Sequence, residues 1–200
     1  MSSVSYHLVQ VTHITGEITQ SMTPIVTERL ILKPLQIDDY ESWFNGFSNR
    51  YPAQSPYDEG KLDMSICTAD WFANLVGKHN RLRETDDILI LAIFDKNHNH
   101  IGMIDVATLA RANMAWGELG YFIHNQLWRQ GFAFEALSAL MPYLADTAGF
   151  HRIEAHVALE NYPSQNLLKK LGFSFETVRK GFMLENNKWT NKAVFYHNLN

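Results

Sequence analysis

Gly117-Glu118-Leu119-Gly120-Tyr121-Phe122-Ile123 is followed closely by Trp128-Arg129-Gln130-Gly131-Phe132-Ala133-Phe134-Glu135-Ala136. The first run reads as a strand. The second reads as a short loop with one glycine that opens a helix. The first N–H groups of a helix have no carbonyl to bond within it. They point at one spot, and the helix dipole favours negative charge there. A pyrophosphate suits such a place, Gly131 lets backbone approach it, and Ala133 keeps the first turn small. Glu118, on the strand just before, carries a carboxylate that can take a proton nearby. Each feature also has a plainer reading. The glycine can simply ease a tight connection, and Glu118 can be a salt-bridged strand residue. The loop is not a P-loop, because no Gly-Lys-Ser/Thr follows it. It is not the dinucleotide fingerprint, because G-x-G-x-x-G is absent.

A second unit lies about thirty residues on: Glu160-Asn161-Tyr162-Pro163-Ser164-Gln165-Asn166-Leu167-Leu168-Lys169-Lys170-Leu171-Gly172-Phe173. Asn161 suits an N-cap, Pro163 suits the first helical turn, and Gly172 falls just past the end. Ser164 lies in that first turn, where capping is its simplest role. Other constellations are weaker. His98-x-His100 has metal-like spacing, but in a turn without partners. Cys67 lacks a nucleophile signature, and Ser164 lacks G-x-S-x-G. Trp43, Phe44, Tyr51 and Tyr57 suit either a substrate cleft or a core.

The elements that must position these residues follow from periodicity. Leu30-Ile31-Leu32 is a short strand closed by Pro34, and a helix starts near Ile37 with acids in its first turn. The stretch 48–65, with Pro52, Pro56 and Gly60, reads as a loop long enough either to have a function or to lack order. Thr68 caps a helix carrying Trp71, Phe72, Leu75 and Val76. Ile88 to Phe94 is apolar enough for a central strand. It forms a hairpin with Ile101 to Leu109 across Asp95–His100. Met114 to His124 is the next strand. Phe132 to Ala148 is a helix that Pro142 should kink or force into local repair. His151 to Glu160 alternates as a strand, and Asn161 to Leu171 is a helix. Two aromatic-rich strands follow, around residues 173–175 and 194–196.

The chain has 200 residues, 46% hydrophobic and 19% charged, with a net charge of −4 and one cysteine. This describes one ordinary globular domain without an internal disulfide. The balance gives no global attraction to nucleic acid or to an anionic membrane. No apolar run is long enough to span a bilayer, so a cytoplasmic protein is expected. Residues 1–25 read as an arm, with Val9, Val11 and Ile14 suited to a short edge strand. Residues 26–200 read as the domain.

Together these motifs resemble a GNAT-superfamily N-acetyltransferase, most closely the Rim-type branch that acetylates N-terminal amines of ribosomal proteins. Thr27-Glu28-Arg29-Leu30-Ile31-Leu32 resembles that branch's opening strand, and Glu118-Leu119-Gly120-Tyr121 its fourth. Trp128-Arg129-Gln130-Gly131-Phe132-Ala133 resembles its acyl-CoA loop. Asn161, Ser164 and Leu171-Gly172-Phe173 resemble its C-terminal motif. The resemblance implies an α/β (α+β) fold. Its mixed, mostly antiparallel sheet would have six to seven strands, splayed after the fourth, with about four helices on its faces.

The resemblance also implies roles. Acetyl-CoA would be the acyl donor and an amine, preferably a protein or peptide N-terminus, the acceptor. No metal takes part, and the enzyme would be a monomer or homodimer. Backbone N–H groups of Arg129 to Phe134, with Gln130, Gly131, Phe132 and Ala133 between them, would hold the pyrophosphate. Phe122 and Ile123 would pair with the pantetheine amides, and Phe122 would serve as oxyanion donor. Asn161 would bond the arm, Lys169 or Lys170 would reach a phosphate, Glu118 would act as base and Ser164 as acid. The branch often carries an acidic residue four positions before the final-strand tyrosine. Here Lys192 precedes Tyr196.

Overall fold

The computed structural model describes residues 22–199. The first-arm segment and its expected edge strand lie outside the described residues, apart from its last four positions. The strands are β1 (Ile25–Val26), β2 (Leu30–Lys33), β3 (Ile88–Asp95), β4 (His100–Ala110), β5 (Trp116–Ile123), β6 (Arg152–Ala158), β7 (Ser174–Glu185) and β8 (Lys188–Asn198). The helices are α1 (Tyr40–Ser48), α2 (Ala69–Glu84), α3 (Phe132–Asp146) and α4 (Tyr162–Lys170). One sheet holds the strands in the order β1-β2-β3-β4-β5-β6-β8-β7.

Among the described residues the sheet therefore has eight strands, not six to seven. The addition is β1, whose two residues are too short to show a period; it pairs Ile25 with Leu32 and Val26 with Ile31. The sheet thus takes in Ile25, which the sequence had placed in the arm. Every neighbouring pair is antiparallel except β5 with β6.

The strand alternation sorts side chains into two layers. Leu30, Leu91, Ile104, Leu119, Ile153 and Phe195 join α3 and α4 in one core. Ala92, Phe94 and Met103 join Trp43 of α1 and Phe72 and Val76 of α2 in the other. Trp43 and Phe44 accordingly serve packing. α1 and α2 pack over β3 and β4. On the same face β5 adds Phe122 to this core, but beyond it β5 and β6 carry Glu118, Glu154 and His156. Local signals hold where backbone chemistry is decisive. The Thr68 hydroxyl accepts from Trp71 N–H at 3.2 Å. Pro142 does not end α3, which runs on to Asp146.

His98 and His100 do not converge. His98 occupies the exposed β3–β4 turn with φ 62°, whereas His100 is buried, its Nδ1 2.9 Å from Nε2 of buried His124. Burial pulls His124 down to about 3, and the neighbouring Arg50 charge adds to this. His100 is likewise lowered, by burial first and then by His124. Both rings must be neutral when folded. Between pH about 3 and 6.5 the unfolded chain binds more protons, so stability falls as pH falls through that window. His124 alone should remove about 3 kcal/mol between pH 6.5 and 4. Urea midpoints measured across that range test this, and a flat midpoint would contradict it.

Candidate active site

β5 and β6 stay in register only from Trp116↔Arg152 to Glu118↔Glu154. Past that pair the strands part, and the fork opens at Glu118. His124 N–H donates to Ile101 O at 2.9 Å, on the β4 side. Backbone polar groups alternate sides along a strand. Those of Phe122 therefore face its β4 partner Met103, and those of Tyr121 and Ile123 face the open edge. This corrects the expectation for Phe122: its N–H is turned away from the fork. The Ile123 carbonyl accepts from the Trp128 indole N–H at 2.7 Å, which pins the loop to the strand end.

The loop next enters left-handed backbone twice, at Arg129 (φ 63°) and Gly131 (φ 81°). Gly131 is the N-cap of α3 and has no side chain to cap it. Glu135 N–H is bonded to the Gly131 carbonyl at 3.1 Å. The N–H groups of Phe132, Ala133 and Phe134, in the first turn, are left to an outside acceptor. A brace from the sheet edge fixes this turn. Glu135 accepts from the Thr27 hydroxyl at 2.6 Å, Arg29 N–H at 2.9 Å and Arg29 Nε at 2.6 Å. Arg29 Nη1 also holds the Gln130 carbonyl at 3.0 Å.

A cleft of about 930 Å³ runs from this turn into the fork, with Tyr121, Ile123, Asn161 and Ser164 on its walls. The Asn161 side chain caps α4 by accepting from Ser164 N–H at 3.3 Å. Ser164 Oγ lies 2.7 Å from the Tyr121 hydroxyl. Burial raises Tyr121 above its ordinary value, against the opposing Ser164 bond, so the phenol stays protonated. Lys170, and not Lys169, borders the cleft. The period of α4 turns Lys169 elsewhere. Glu118 stands on the opposite face of the sheet from Tyr121, by strand alternation. The fork thus has a carboxylate on one side and two hydroxyls on the other.

The stretch 49–68 contains no helix or strand before α2, yet it is firmly held. Asp58 accepts from Arg50 Nη2 at 2.7 Å, Gln54 N–H at 2.8 Å, Asn125 Nδ2 at 2.9 Å and Gly60 N–H at 3.0 Å. Asn125 Oδ1 accepts from Tyr51 N–H at 2.8 Å. These bonds lay Gln54, Ser55 and Tyr57 along the cleft. The Tyr57 hydroxyl donates to Glu160 at 3.2 Å, across its mouth.

Residues 29–174 match the acetyltransferase (GNAT) domain family. The chain belongs to that family. Among relatives of this GNAT acetyltransferase is the uncharacterized N-acetyltransferase YoaA of Bacillus subtilis. It is 33% identical over 173 residues, covering 82% of this chain and 91% of YoaA. The [ribosomal protein uS5]-alanine N-acetyltransferase of Escherichia coli is 26% identical, covering 85% of this chain and 88% of that one. Mycobacterium smegmatis RimJ, solved in complex with CoA-disulfide, has the same fold. Its TM-score is 0.70 at 17% identity, with 88% of this chain and 90% of that chain covered. As an N-acetyltransferase of this family, the protein carries the expected splayed sheet. The splay follows the Glu118 strand, which is fifth in chain order once β1 is counted.

Three groups at the GNAT site escaped sequence reasoning. Tyr121 is one, since nothing local ties it to Ser164. His156 is another; its Nδ1 is 2.6 Å from Glu118 Oε1. The Arg50–Asp58–Asn125 cluster is the third. Lys192, the departure from the Rim pattern, is buried and pairs with Glu185 at 2.6 Å.

Proposed function

We propose that this N-acetyltransferase moves the acetyl group of acetyl-CoA to the α-amine of a protein or peptide N-terminus. The carrying observation is the fork, with Glu118 on one side and the Tyr121–Ser164 hydroxyl pair on the other. The likeness to a [ribosomal protein uS5]-alanine N-acetyltransferase supports the acceptor class.

The α3 N-terminus, residues 129–134, suits the pyrophosphate by its unbonded N–H groups and dipole. The open edge of Tyr121 and Ile123 suits the pantetheine amides as an added strand. Asn161 and Lys170 border the same path. Glu118 takes the proton of the entering ammonium, directly or through a water, and frees its lone pair. The amine nitrogen then bonds the acyl carbon, the C–S bond breaks, and the sulfur needs a proton. Ser164, relayed by Tyr121, supplies it; the second proton that the nitrogen sheds as the amide forms returns through solvent to refill the hydroxyl pair, and Glu118 releases the first, so one proton is released per turnover. Alignment in the fork contributes much of the rate.

Gly131→Val tests the donor half. A β-branched residue at φ 81° strains the backbone by about 1–3 kcal/mol. Acetyl-CoA affinity, measured by calorimetry, should fall about tenfold or more. Unchanged affinity would remove this turn from the binding site. Release of CoA thiol across N-terminal peptides and small amines tests the acceptor half. Turnover is expected on peptides with a free α-amine and not on their N-formyl forms. Turnover confined to polyamines or aminoglycosides would reassign the acceptor. Binding without turnover on any amine would make the protein a regulatory acyl-CoA module.

A further inference from the structure

Glu118 has company at the fork. His156 stands on β6 two residues past the last β5–β6 pair, Glu118↔Glu154. Its ring reaches back across the gap, with Nδ1 2.6 Å from Glu118 Oε1. Nε2 lies 2.9 Å from Arg179 Nη1 and 3.2 Å from Glu154 Oε2. The Phe182 ring meets the imidazole edge-on at 5.0 Å. Phe182 comes from an irregular stretch of β7 where pairing with β8 shifts between Arg179 and Met183. The His156 side chain is 1% exposed and that of Glu118 25%. An acceptor that enters the fork on this face of the sheet meets the carboxylate and not the ring.

The heavy-atom contacts select one tautomer. Arginine has donors only, so Nε2 accepts from Arg179. The neutral ring then carries its proton on Nδ1, the ring atom that faces Glu118 Oε1 at 2.6 Å. Glu118 keeps its other oxygen for the amine. We propose that His156 is a positioning residue for acyl transfer, which fixes the Glu118 carboxylate at the fork through its Nδ1–H. This rests on Glu118 as the base.

The charges around the ring come from four strands. Glu154 is on its own strand, with Arg152 bonded to that carboxylate at 2.7 Å. Glu118 faces it from β5, with the Asp105 carboxylate of β4 close enough to feel its charge. Arg179 faces it from β7 and also reaches Glu154 at 3.1 Å. A protonated ring turns its Nε2–H toward Glu154 and meets the like charge of Arg179. It also adds a positive charge beside Glu118. Burial lowers His156, but Glu118, by bond and charge, and Glu154 together bring it above its ordinary value. The neutral, productive ring is therefore lost on the acid side of the activity profile.

Two variants and one spectrum test the assignment. His156→Ala removes the N–H; kcat/KM should fall about tenfold to a hundredfold with acetyl-CoA affinity unchanged. His156→Asn places an amide N–H where Nδ1 stood, and it does not titrate. It should restore most of the lost activity and extend it to lower pH than the wild type. Wild-type profiles in both variants, or Asn as slow as Ala in proteins that melt alike, would overturn the role. Nitrogen-15 histidine spectra of the full chain read the ring without turnover. The Nδ1–H tautomer is expected at pH 8, with a titration midpoint that falls in Glu118→Gln. An Nε2–H tautomer, or a midpoint unmoved by Glu118→Gln, overturns the proposal even if the acceptor proves to be another amine. The expected spectrum combined with full activity in Glu118→Gln would instead remove the base, and His156's role with it.

Discussion

Glu118→Gln is expected to lower kcat/KM about a hundredfold at pH 7, within the range of general-base catalysis. Acetyl-CoA affinity should not change, because Glu118 lies on the opposite sheet face from the donor cleft. Glutamine preserves the shape and keeps an oxygen able to face His156 Nδ1, now 2.6 Å from the carboxylate. What it lacks is the ability to take a proton. An α-amine is mostly ammonium below pH about 8. The variant must then wait for solvent to deprotonate the acceptor. Its deficit should shrink as pH rises past 8, while the wild type should show little such gain. Steady-state thiol release from pH 6 to 10 reads both features. A full-rate variant at pH 7 would show that approximation alone suffices and that Glu118 is not the base.

Asp58→Ala is expected to cost about 3–5 kcal/mol, the range for breaking a buried ion pair from one side. The Asp58 side chain is 0% exposed and that of Arg50 5%. The lost carboxylate leaves the guanidinium buried, strands the N–H groups of Gln54 and Gly60, and leaves the Asn125 amide only its backbone acceptors. The bonds from these donors outweigh burial and hold Asp58 below the ordinary carboxylate value. Its contribution is accordingly present above the unfolded value near pH 4 and is lost as pH falls through the folded value. The chain crossing is tight here as well: a Cβ on Gly60 (φ 66°) would lie 2.4 Å from Ala53 N. For a domain of this size the melting temperature should drop by about 10 °C. Residues 54–57 should also loosen over the cleft and weaken acetyl-CoA binding. Calorimetric melting, with Asp58→Asn as an intermediate case, measures the first effect. A drop below about 3 °C would mean that the cluster does not hold the loop.

Much of the fold was legible from local pattern. The Thr68 and Asn161 caps, the Gly131 turn and the Glu118 strand each depend on a few consecutive residues. Backbone chemistry at a cap or a left-handed turn tolerates few residue types, so the sequence shows it directly. Two-residue β1 was not legible, because no period fits in two residues. Pro142 is a local signal too, yet α3 runs on past it to Asp146, packed against β2 and β5.

The amino-acid order by itself determined that a strand carboxylate, a glycine turn and a capped serine helix exist, and that they belong to an acyltransferase. Tertiary structure decided which atoms face one another. Pairing with β4 turned the Phe122 N–H away from the fork and left the edge to Tyr121 and Ile123. Register with β6 brought His156 to Glu118, β7 brought Arg179 to His156, and α4 brought Ser164 to Tyr121. Period-two alternation reveals which residues share a face of one strand. It carries no information on which neighbour lies across the gap, because that is set by the pairing and packing of distant segments.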